Sequence, residues 1–68
     1  MGTYVVHASV KKYDFGLGAE TMANVNGTFQ AKGKQEAEEK AVEHFREQYN
    51  HPKVGNVKVE VVVVNQIS

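Results

Sequence analysis

Cysteine and tryptophan are absent from this chain of 68 residues, and proline occurs once. Without a thiol there is no disulfide framework, no thiolate zinc site and no cysteine nucleophile. Neither sign of charge prevails: eight Lys and Arg stand against eight Asp and Glu, for a net charge of zero. Dedicated binders of nucleic acid or anionic membrane carry a basic excess, so this balance ranks both low. Long hydrophobic runs are missing as well. The longest, Val61 to Val64, is far too short to cross a bilayer. The opening MGTYVVHASV lacks the basic region and long apolar core of a signal peptide. Val6 stands where a myristoylation site needs Ser or Thr. A cytoplasmic location is the expectation. So short a chain buries only about 60% of its unfolded surface, and a drug-sized pocket of roughly 300 Å³ is hard to carve from it.

What is present is globular in composition, with 41% hydrophobic and 24% charged residues. A single domain over residues 1–68 is expected. Thr3 to Tyr13 alternates as a strand, with Tyr4, Val6, Ala8 and Val10 on one face and Val5, His7, Ser9, Lys11 and Tyr13 on the other. The segment DFGLGAE, punctuated by Gly16 and Gly18, reads as a connecting loop of seven residues. A second strand runs from Thr21 to Ala31, its apolar face made by Ala23, Val25, Phe29 and Ala31. Asn26-Gly27 interrupts it with a hairpin signal, leaving two short strands as an alternative. One strand kinked or bulged at Gly27 is preferred, because its length then matches its neighbours.

From Lys34 to Tyr49 the period becomes helical: strong helix formers surround a stripe of Ala37, Ala41, Val42, Phe45 and Tyr49. Gly33 serves as the N-cap, Glu36 suits the first turn, and Asn50, His51 and Pro52 end the helix. After a loop at KVGN, the last strand spans Asn56 to Ile67. Strict alternation puts Val57, Val59, Val61 and Val63 inside, and Lys58, Glu60, Val62 and Val64 outside. The resulting fold class is α+β: β-β-α-β, one helix on one face of a three-stranded, mainly antiparallel sheet. Order 2-1-3 is preferred to a third strand lying parallel beside the second, because parallel pairs are rarer outside repeated β-α-β units.

No motif carries chemistry. His44 and His51 are seven apart and His7 lies mid-strand, so no spacing places two metal ligands on one helical face. Gly16-Leu17-Gly18 lacks the third glycine and following helix of a phosphate cradle, and no nucleophile elbow is present. No enzyme activity, cofactor or metal is expected.

Three surfaces remain. Glu36, Glu39, Glu43 and Glu47 make an acidic row on a helix with three positive and five negative residues. It reads either as a solvating face or as an electronegative stripe, its charges about 6 Å apart, that docks on a basic protein surface. Val5, His7, Val62 and Val64, with Tyr13, form an uncovered outer sheet face and so a candidate homodimer interface. The run VEVVVV is an aggregation hazard on an edge strand, broken only by Lys58 and Glu60, which self-pairing would also resolve. Lys11, Lys12, Tyr13 and Phe15 mix cations with aromatics, as sheet-platform RNA binders do. The RNP-type motifs are missing and Lys32 and Lys34 lie at the far end of the hairpin, so nucleic-acid binding stays the alternative, beside a purely structural homo-oligomerising role.

The stretch TFQAKGKQEAEEKAVEHFREQY, Thr28 to Tyr49, resembles small bacterial and phage proteins in which two strands and a polar turn precede an Ala/Glu-rich helix and a final strand. The DpnD/PcfM-like proteins of phages and mobile elements are one such group. The resemblance covers about a third of the chain and implies no catalytic residues. It implies an accessory protein or inhibitor that binds, and occludes, another protein.

Overall fold

The computed structural model describes all residues 1–68, in the order β1 (Gly2–Asp14), β2 (Ala19–Ala31), α1 (Lys34–Gln48) and β3 (Val54–Gln66). The three strands form one sheet of order β2-β1-β3, antiparallel at both junctions, with α1 on one face. Each strand has 13 residues. At about 3.3 Å per residue that length accounts for the 42 Å long axis of the molecule, against 17 and 14 Å across. No helix is long and apolar enough to cross a membrane.

The expected alternation of β1 holds: Tyr4, Val6, Ala8 and Val10 are buried beneath Ala37, Ala41 and Phe45 of the helix, with Ala31 closing the core. Two alanines let the helix approach the sheet closely, and Phe45 fills the space that remains. Gly33 is the N-cap in extended conformation, Glu36 sits in the first turn, and Tyr49 ends the helix.

Strand boundaries extend beyond the sequence reading at the turns. The β1–β2 connection is the four residues Phe15–Gly18, because Asp14 organises it. Its carboxylate accepts the N–H groups of Gly16 at 2.8 Å and Leu17 at 3.2 Å, and its carbonyl accepts that of Gly18 at 2.8 Å. Gly18 has φ +66°, a conformation costly to other residues, which is why glycine closes this turn.

No bulge occurs at Asn26-Gly27. The β1–β2 register is continuous, with His7 opposite Asn26 and Val6 opposite Gly27. Gly27 has a packing role instead: a Cβ there would lie 3.0 Å from Phe29 Cε2 and 3.4 Å from Phe45 Cζ. The missing side chain makes room for the edge-to-face Phe29–Phe45 pair, whose centroids are 5.9 Å apart. Gly27→Val is therefore expected to destabilise the protein by about 1–3 kcal/mol in urea titration, despite the better strand propensity of valine.

The irregularities fall on β3. Its pairing with β1 shifts between Lys11 and Tyr13 and again between His7 and Ala8, each time with one extra residue on β3. At the first bulge Asn56 takes φ 53°, a left-handed conformation that Asn tolerates better than most residues. KVGN is thus only in part a loop, since Val54 and Gly55 already belong to the strand. At the second bulge Val62 is the additional residue, between the Ala8–Val61 and His7–Val63 pairs. Alternation reverses there. Val64 faces Val6 and packs against the core, whereas Val63 joins the outer face beside His7 and is 41% exposed. The sequence expectation for Val63 and Val64 is inverted for this reason, while Val57, Val59 and Val61 pack against the core as expected.

Candidate functional surfaces

Of the acidic row, Glu39, Glu43 and Glu47 are exposed and take part in no ion pair. Glu36 is half-buried and paired with Lys40, 3.3 Å away. Lys40 also donates to the Gln30 carbonyl at 2.7 Å, so the N-terminal end of the row is tied to the β2 edge. The outward-facing negative charge is therefore carried by the second half of α1, with Arg46 as its exposed cation there.

The outer sheet face is less apolar than alternation suggests. Val64 leaves it, and Val5 is half-buried between Thr28 and Asn65. The remaining apolar residues, Val62 and Val63 by the exposed His7, are separated from Met22 and Tyr13 by polar rows. Ser9 donates to Asn24 at 3.3 Å, and Lys11, Lys58 and Glu60 occupy the neighbouring positions of the same face. A face-to-face apolar interface of Val5, His7, Val62 and Val64 is not assembled by this register.

The basic–aromatic cluster divides between faces. Lys11 and Tyr13 lie on the outer face, Tyr13 edge-on to Phe15 with centroids 5.3 Å apart. Lys12 lies on the helix side, where it donates to Thr21 Oγ1 at 3.0 Å and sits 5.2 Å from the Tyr49 ring centroid. A cation held over an aromatic ring is a packing element. Phe15 leans over Gly55, where a Cβ would lie 2.8 Å from its ring. Lys12 is thus withdrawn from the cluster by strand parity, and Phe15 is committed in part to covering Gly55.

The three histidines are apart. His7 is on the outer face, His44 stacks edge-on to Phe29 and Phe45, and His51 accepts the Lys53 N–H through Nδ1 at 3.1 Å. No three His, Asp or Glu side chains converge closely enough to hold a metal ion.

The feature the sequence only half disclosed is the open edge of β3. Phe15 donates its N–H to Lys53, and Thr3 donates to Ser68, so the odd-numbered residues of β1 face β3 at both ends of the ladder. Strand alternation then turns the backbone groups of Lys58 and Glu60 toward β1, opposite Lys11 and Ser9. Those of Val57, Val59 and Val61 point to the open edge, which Arg46 borders from the helix side. The two bulges bound this stretch, leaving Val57–Val61 as its regular part. Lys11 and Lys58 stand directly opposite each other, a like-charge pairing that sheets disfavour.

Comparison with known protein families, with curated proteins and with solved structures finds no match to this chain.

Proposed function

We propose that the chain is a small non-enzymatic protein-binding module that acts in the cytoplasm by occluding a basic surface of another protein. The observation that supports this reading is the exposed, unpaired set Glu39, Glu43 and Glu47 on a helix whose opposite side is fully occupied by the core. A short rigid helix anchored by Ala37, Ala41 and Phe45 presents those carboxylates with little conformational freedom to lose on binding. A phage or mobile-element accessory role, the kind implied by the resemblance of Thr28 to Tyr49, is compatible with it.

Electrostatic docking of this kind speeds encounter and weakens with salt. Glu39→Lys with Glu43→Lys is expected to abolish low-salt cross-linking of the protein to its partner in lysate while leaving the melting curve unchanged, since both positions are exposed. Partner cross-links that persist in the double variant would refute the acidic-face mechanism. Retention of the parent on single-stranded DNA at physiological salt, lost in Lys11→Ala, would instead favour the nucleic-acid alternative.

A further inference from the structure

We propose that the open edge of β3 pairs with β3 of a second copy of this chain, antiparallel, about a two-fold axis through Val59. The pairing does not depend on what the helix binds. Several independent features meet at this residue. The regular stretch between the bulges, Val57–Val61, is centred on it. Within that stretch Val57, Val59 and Val61 carry the backbone groups that β1 leaves unpaired. A two-fold axis at Val59 sets Val59 against Val59 and Val57 against Val61, so every one of these open residues meets another open residue.

The charges select the same axis. Lys58 and Glu60 flank Val59 on the outer face. Rotation about Val59 brings Lys58 of each copy opposite Glu60 of the other, at non-hydrogen-bonded positions where Cα atoms approach to about 4.5 Å. Moving the axis by one residue sets Lys58 against Lys58 or Glu60 against Glu60, and like charges directly opposite are disfavoured. The second copy also corrects a defect inside the monomer. Lys58 has Lys11 on one side, and the pairing supplies Glu60 of the other copy on its open side.

The β2 edge lacks these properties. Lys40 of the helix already occupies its Gln30 carbonyl, and a lysine at a strand edge is a common guard against pairing. The β3 edge carries a charge of each sign, arranged symmetrically. An axis perpendicular to the sheet keeps both helices on one face and makes a continuous six-stranded sheet, in which the half-buried Val57, Val59 and Val61 of both copies lie side by side.

Charge exchange tests the register. In analytical ultracentrifugation at tens to hundreds of micromolar the parent is expected to be a dimer. Lys58→Glu and Glu60→Lys, each of which sets like charges across the axis, should raise the dissociation constant about tenfold or more. The combined Lys58→Glu, Glu60→Lys variant restores opposite charges and should dimerise like the parent. Both positions are exposed, and circular dichroism melts establish that each variant is folded. Because the chain contains no cysteine, Val59→Cys introduces a single thiol, and a hydrogen-bonded pair with Cα atoms about 5.5 Å apart can form a disulfide. Under mild oxidation Val59→Cys should give a covalent dimer and Val63→Cys should not. A parent that stays monomeric throughout this range overturns the proposal. So does a double variant no more dimeric than the singles, or cross-linking at Val63 as fast as at Val59.

Discussion

Phe45→Ala is expected to remove a large part of the chain's stability. Phe45 is 2% exposed and is the largest fully buried side chain. It meets Phe29 edge-on at 5.9 Å and occupies the space over Gly27. The two other buried helix residues are Ala37 and Ala41, which contribute closeness of approach but little apolar area. Truncation of a buried Phe costs about 3–5 kcal/mol, and a domain of this size has a total stability of about 3–10 kcal/mol. Nothing else on α1 can move into the cavity without drawing the helix off the sheet. Far-UV circular dichroism and urea titration provide the measurement. A variant that melts within a few degrees of the parent would show that the helix packs in another register.

The second large effect is a contrast between neighbours. Val64→Asp is expected to destabilise the protein by about 2–4 kcal/mol, because it places a carboxylate beside Val6 on the helix side of the sheet. Val63→Asp, one residue earlier, is expected to cost less than about 1 kcal/mol, because that side chain stands on the outer face next to His7. Without the bulge at Val62 the two costs would be exchanged. Urea titration of the pair is thus a direct reading of β3 register in solution. Equal costs would mean that β3 slides between two registers.

The element order and the side of the sheet taken by Tyr4, Val6, Ala8 and Val10 were legible in the sequence, whereas the strand order rested only on the rarity of parallel pairs outside repeated β-α-β units. So were the helix stripe and the Gly33 cap. Each rests on a periodicity carried by chemically different residues, so that a shift by one position would visibly bury Lys, Ser or Glu. The acidic row was legible as a row, but the diversion of Glu36 to Lys40 was not. Lys40 is drawn toward the Gln30 carbonyl, and only the packing of α1 against β2 brings that carbonyl within reach. Nearness in sequence groups Lys12 with Lys11, Tyr13 and Phe15, but strand parity puts it on the helix side of the sheet, near the Tyr49 ring.

What the sequence determined by itself is the set of elements and the face each buries: three strands of period two and one helix of period 3.6. Both a third strand beside the first and one beside the second bury those faces, and the tertiary structure takes the first of these. Only the tertiary structure decided which residues of β3 face where. Val61, Val62, Val63 and Val64 are identical, so local sequence is indifferent to a one-residue slip among them. The choice is made by β1, which holds Val61 opposite Ala8 and Val64 opposite Val6, and by the helix, whose packing keeps both valines on its side. A run of four valines permits a bulge at no cost in hydrophobic matching, and the ladder places it at Val62.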